Sequence, residues 1–281
     1  MVPLRTEAAM NDTDAVPIIV DRSVTKQGPE RAGCVLVAGS HGGIFAGFLA
    51  AQARLRAVIL NDAGVGRDDA GIAGLAYLQG IGMPAATVSC MSARIGDGAD
   101  MLSRGIISHA NERARALGVA VGQACAEAAA LLRHAHTDLA AVPPYTESRY
   151  ALRENLGVPL VWGLDSASLV QPEDSDRILM IGSHGGLLGG DPASALRGAA
   201  RAAVFNDAGV GIDGAGLTRL PALDARGMPA ATVDCWSARI GDARSMWQTG
   251  TLSHVNAAAR ALGAAPGISA CAFADLINGA R

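Results

Sequence analysis

Gly227-Met-Pro-Ala-Ala-Thr-Val-Asp-Cys-Trp-Ser-Ala-Arg-Ile-Gly-Asp242 repeats, with two changes, Gly82-Met-Pro-Ala-Ala-Thr-Val-Ser-Cys-Met-Ser-Ala-Arg-Ile-Gly-Asp97. Each copy is a short apolar run that ends in a polar, glycine-containing tail. That is the pattern of a buried parallel strand leaving its sheet. Writing it twice points to an internal duplication.

The match extends in both directions. Upstream, Asn61-Asp-Ala-Gly-Val-Gly66 returns as Asn206-Asp-Ala-Gly-Val-Gly211, and Ser40-His-Gly-Gly43 returns as Ser183-His-Gly-Gly186. Downstream, Ser108-His-Ala-Asn111 returns as Ser253-His-Val-Asn256. Between Asn61 and Asp97 the copies align without gaps, and about two thirds of the positions are identical. Strands alternate with helical segments four times per half, which predicts an α/β fold of two similar parallel-sheet lobes related by a pseudo-twofold. One continuous sheet is the alternative.

The predicted segments are 1–15, a flexible N-terminal stretch; 16–134, the first α/β repeat; 135–157, a connection; and 158–281, the second repeat. Residues 45–56 and 191–201 are expected as helices, the latter opened by Asp191-Pro192. A further helix is expected to open at residues 105–111 and at 250–256.

Composition narrows the function. Half of the 281 residues are apolar, and the net charge of −3 comes with no Lys/Arg cluster, so no nucleic-acid footprint is present. Lys26 is the only lysine, which disfavours Schiff-base and Walker-type chemistry. The five cysteines show no disulfide or zinc spacing. The first residues lack the apolar core of a signal peptide, and the uncharged run 33–53 is broken by Ser-His-Gly-Gly. A cytoplasmic protein outside the membrane is expected, with a small-molecule substrate and a homo-oligomer as the possible partners.

Drift has spared polar residues rather than helix faces, the reverse of what a purely structural repeat requires. The loops after parallel strands are where such sheets bind ligands. The expected catalytic residues are therefore His41, His184, Cys90, Cys235, Asp62, Asp207 and Asp234. Ser40, Gly42, Gly43, Asn61, Ser92 and Arg94 are expected to bind substrate, with Ser183, Gly185, Gly186, Asn206, Ser237 and Arg239 opposite them. Asp97, Asp242, His109 and His254 are expected to support these groups.

The roles follow from chemistry. A thiol at a strand end, facing a helix N-terminus and an arginine, would have a lowered pKa. Arginine grips carboxylates in two-pronged fashion, and loop amides can hold an oxyanion. Plainer readings exist for each: a tight turn for Ser-His-Gly-Gly, an Asx-turn for Asn-Asp, a small core residue for each cysteine, and a salt bridge from each arginine to the aspartate three residues on.

The favoured function is a cofactor-independent enzyme acting on a small anionic carbonyl compound. Hydrolysis of an amide or ester-like bond is placed slightly ahead of an isomerase, racemase or lyase with a paired Cys or His acid/base. A two-lobed binding protein is the non-enzymatic alternative. No organic cofactor is expected, and a divalent metal on His41, His184 and Asp62/Asp207 is left open by the spacing.

Overall fold

Short runs rich in Val, Ile, Leu and Ala, buried on both faces, make the parallel core of two separate sheets. The computed structural model describes residues 16–25, 27–155 and 158–280. Residues 1–15, expected to be flexible, lie outside the described residues.

The first sheet has the order β1(Ile18–Asp21), β2(Val35–His41), β3(Ala57–Asn61), β4(Ala85–Val88), β5(Ile107–Ala110). Strands β1 to β4 are parallel, and β5 is antiparallel to β4. The second sheet contains β6(Arg149–Asn155), β7(Val158–Leu164), β8(Ile178–His184), β9(Ala202–Asn206), β10(Ala230–Val233) and β11(Leu252–Val255), ordered 11-10-9-8-7-6. Its β7 to β10 are parallel, while β6 and β11 are antiparallel edges. The class is thus α/β with two mixed, mostly parallel sheets, and the single-sheet alternative does not hold.

Each sheet buries both faces, because alternate residues of a strand point to opposite sides. In the first sheet, Val35, Val37, Ile59 and Val88 face α3(Gly98–Arg104) and α5(Cys125–Leu132). Leu36, Val58 and Leu60 face α1(Ile44–Gln52) and α2(Gly74–Gly80). The second sheet repeats the scheme, with Met180, Val204 and Val233 packed on α7(Ala243–Thr249) and α9(Ala270–Gly279), and Leu179 and Phe205 on the face toward α6(Arg219–Asp224). A fifth small core of Ala63, Ala70, Ile95, Ala208, Ala215 and Ile240 draws from both halves and forms the seam between them.

Three expectations are corrected. Residues 105–111 and 250–256 do not open a helix; they hold the antiparallel strands β5 and β11. The helices there start only at α4(Glu112–Arg115) and α8(Ala257–Ala261), where the Asn111 and Asn256 side chains accept the Ala114 and Ala259 amides as N-caps. Residues 191–201 form no α-helix: Gly189 and Gly190 take positive φ, and only short 3-10 turns follow at Leu188–Gly190 and Pro192–Ala195. Within the stretch read as a connection, Arg149–Asn155 is the edge strand β6, anchored by the Arg149 guanidinium on the buried Asp174 carboxylate at 2.6 Å.

Candidate functional site

The parallel order brings the carboxyl ends of β2, β3 and β4 to one edge, and those of β8, β9 and β10 to the matching edge of the second sheet. His41 pairs in register with Asn61, and His184 with Asn206. The two edges face each other, and their loops interlock.

The Asn-Asp-Ala-Gly-Val-Gly loops form the interlock. Asn61 Oδ1 accepts the Ala63 amide at 2.9 Å, and Asp62 Oδ1 accepts the Gly64 and Cys90 amides at 3.0 and 2.9 Å. The Asn206 and Asp207 carbonyl and carboxylate oxygens make the same bonds to Ala208, Gly209 and Cys235. These are Asx-type turns. They hold Ala63, Val65, Ala208 and Val210 at φ between 50° and 62°, a costly region for a residue with a Cβ. Across the seam, the Arg67 amide donates to the Cys235 carbonyl and the Ile212 amide to the Cys90 carbonyl, each at 2.8 Å.

Cys90 and Cys235 are 5% and 2% exposed. Burial, reinforced by the Asp62 or Asp207 carboxylate beside each, pushes both thiols up to about 12. The expected lowering is therefore reversed, because burial disfavours the thiolate and the nearest charges are anionic. Asp234 receives the Trp236 amide at 3.0 Å and lies with Asp207 and Cys235 in one cluster, their ligand-type atoms within 4.8 Å of one another. That is the only such group among the described residues, so His41 and His184 do not gather with Asp62 or Asp207 as a metal set.

The arginines are committed to ion pairs. Arg94 binds Asp213 of the other half at 2.9 Å and approaches Asp100. Arg239 binds Asp68 of the other half at 3.0 Å and its own Asp242 at 2.8 Å. Neither is a free anion gripper. Asp97 and Asp242 cap α3 and α7. Ser92 and Ser237 Oγ donate to the carbonyls of Ser89 and Asp234 and accept the Ile106 and Thr251 amides, so both serve the turn. His109 and His254 sit on β5 and β11; His109 Nδ1 lies 3.1 Å from Ser108 Oγ, and His254 Nδ1 is buried without a partner among the described residues.

What the loops leave open is a cleft of about 330 Å³ lined by both histidines. The Ser40 and Ser183 hydroxyls accept the Val24 and Ala167 amides and so tie down the neighbouring loops. The glycine amides are also used: Gly42 and Gly185 donate to the carbonyls of Asn61 and Asn206. Gly43 and Gly186 donate to Nδ1 of His41 and His184, both at 3.2 Å. No oxyanion hole remains there. The consequence for the imidazoles is specific: an accepting Nδ1 puts the proton on Nε2. Burial lowers His41 to about 4, and burial, Arg219 and His41 together hold His184 well below its usual value. Both rings are neutral at pH 7, and neither Nε2 has a hydrogen-bond partner among the described residues.

Two further cleft residues escape the sequence reading. Arg219, on α6, is 3% exposed and donates Nε to the Gly186 carbonyl at 3.0 Å and Nη1 to the Ser194 carbonyl at 2.9 Å. Glu147 lines both this cleft and an adjoining pocket, each time with His41. Burial raises its carboxyl to about 7 against the pull of Ser166 and Ser168, with Asp165 adding to the rise. Neither residue has a counterpart in the other half, so a search for retained pairs passes over them. The visible signal was Arg219 standing where the first half has Gly74.

No known family, characterised protein or solved structure with which the chain was compared matches it.

Proposed function

We propose that the chain is a cofactor-independent enzyme that moves a proton at a carbon beside the carbonyl of a small anionic compound, in the isomerase, racemase or lyase class. One arrangement carries the reading: two imidazoles whose Nε2 atoms have no hydrogen-bond partner among the described residues share a cleft with Glu147, whose carboxyl burial raises to about 7. A base works best when its pKa lies near the working pH, as the value of about 7 for Glu147 does. A neutral imidazole is a hydrogen-bond donor suited to a developing enolate oxygen.

In this scheme Glu147 takes the proton from carbon. The C–H electron pair forms the carbon–carbon double bond of the enolate, the carbonyl π pair moves to oxygen, and the Nε2–H groups of His41 and His184 together stabilise the charge that appears there. Return of the proton to the opposite face of that carbon gives the other enantiomer, and, where that carbon carries a hydroxyl, protonation of the former carbonyl carbon gives an isomer.

Hydrolysis through a covalent intermediate has less support, since both thiols are held protonated and both glycine loops have spent their amides. The lobes themselves we read as a tandem duplication about a pseudo-twofold, supported by the matching strand orders and the reciprocal bonds at 67–235 and 212–90. Cysteines without disulfides are consistent with the cytoplasm.

The test is solvent-deuterium incorporation beside the carbonyl of small 2-oxo and 2-hydroxy acids. Glu147→Gln should slow it by about 100-fold or more. Tight ligand binding without any exchange by the wild-type chain would favour the two-lobed binding protein instead.

A further inference from the structure

We infer that Arg219 is the seat of a substrate carboxylate, so that the cleft takes a small monocarboxylate carrying a carbonyl, of which a 2-oxo acid is the simplest form. The inference rests on the assignment of the cleft as the site and adds the class of molecule and its orientation.

A guanidinium almost wholly removed from water needs a counter-charge. Arg149 shows the usual solution in this fold, two hydrogen bonds to the Asp174 carboxylate. Arg219 has no carboxylate partner among the described residues. Its Nε and Nη1 are spent on the carbonyls of Gly186, Ser194 and Ala195, and its Cζ lies 5.0 Å from the Phe205 ring centroid. Those dipoles and the ring orient the group without cancelling its charge. Nη2 is engaged by no hydrogen bond among the described residues, and the side chain lines the cleft beside His184.

The placement is one-sided. The Arg219 amide donates to the Gly185 carbonyl at 2.8 Å, and the Gly74 amide donates to the Gly42 carbonyl at the same distance. The backbone is thus alike in the two halves, and only the second half carries a cation at this point. A symmetric clamp has no use for that, whereas a molecule with one anionic end does.

The donor set also selects the anion. Phosphate sites gather several free backbone amides. In this wall those of Gly185, Gly186, Leu187 and Leu188 are all given to internal acceptors. Beside His184, one guanidinium nitrogen without a partner among the described residues suits one carboxylate oxygen, with Arg197 and Asp191 also on the cleft lining.

The experiment is calorimetric titration of the full chain with 2-oxobutyrate, with the isosteric 2-oxobutanamide and with inorganic phosphate. The acid is expected to bind at least tenfold more tightly than the amide, and phosphate at equal concentration should not displace it. Arg219→Gln should lose that tenfold for the acid while leaving the amide unchanged, and Glu147→Gln should keep carboxylate binding. Equal affinity for acid and amide, absence of acid binding, or displacement by phosphate would each overturn the assignment. The acid-to-amide comparison in the wild-type chain stands even if Arg219→Gln does not fold. Carboxylate binding without deuterium exchange would sink the proton-transfer reading and leave this one intact.

Discussion

The backbones of Gly64 and Gly209 lie against each other across the seam: a β-carbon on Gly64 would stand 2.7 Å from the Gly209 Cα, and one on Gly209 would stand 2.8 Å from the Gly64 Cα. Both residues have φ above +70°. Gly64→Ala or Gly209→Ala therefore combines a left-handed backbone penalty with a clash against main chain that cannot move aside. Each should cost about 2–4 kcal/mol, measurable by urea unfolding. Both should also open the cleft, since the two histidines come from opposite sides of this contact.

Because burial and neighbouring aspartates hold Cys90 and Cys235 protonated, both should resist a small thiol reagent at pH 7 in the native protein. Cys271, half-buried on α9, should react first. Peptide mapping after labelling checks the order. Cys235→Ala should cost about 1–2 kcal/mol of stability and leave turnover within a few-fold, whereas a nucleophile would lose it entirely.

Glu147 gives a signed pH dependence. Its carboxyl is raised from 4.5 to about 7 in the folded state, so the native chain holds the extra proton between those values. The stability tied to protonated Glu147 is full below pH 4.5 and is lost as pH rises through about 7. Glu147→Gln should thus be relatively more stable than wild type at pH 8, with the advantage vanishing below pH 4.5. His41, lowered to about 4, acts oppositely: its contribution is present above 6.5 and is lost as pH falls toward 4. Paired thermal melts of the two proteins across pH 4–8 separate the terms, because the variant retains the histidine.

Arg94 and Arg239 are half-exposed and bound to aspartates of the opposite half. Exposed pairs contribute little to stability; neither arginine lines the cleft of the two histidines, and only Arg239 lines the adjoining pocket with His41 and Glu147. Arg94→Ala should leave KM for an anionic substrate unchanged within about twofold, as expected for a screened surface pair. A rise of tenfold or more in steady-state KM would return Arg94 to the site.

How much of this could be read in the sequence differs from one element to the next. The parallel strands were legible because runs such as Val35-Leu-Val-Ala are apolar on both faces and close on Gly-Ser-His. The edge strands β5 and β11 were not: four residues that read apolar, polar, polar, apolar show no strand alternation and, followed directly by an Asn cap, share their outward signs with a helix start. Strand β6 hid in Arg149-Tyr-Ala-Leu-Arg-Glu-Asn, whose charges suit an exposed edge and equally a linker. For the site, pair retention drew attention to Cys90, Asp62, Arg94 and their partners, and the structure uses these residues in the seam, with Arg239 also lining the pocket that adjoins His41 and Glu147. Polar identity there is kept by interlocking turns, which demand particular hydrogen bonds as strictly as chemistry does. Arg219 and Glu147 occur once, and their environment comes from tertiary burial that no local pattern reveals.

The most direct test of the account is deuterium uptake from D₂O at the carbon beside the carbonyl of a 2-oxo acid, followed by proton NMR for wild type, Glu147→Gln and His184→Asn. The account predicts catalysed exchange by the wild-type chain, a rate rising with pH through about 7, and loss of about 100-fold or more in either variant. Exchange that proceeds undiminished in Glu147→Gln, or a wild-type rate no faster than buffer, would contradict it.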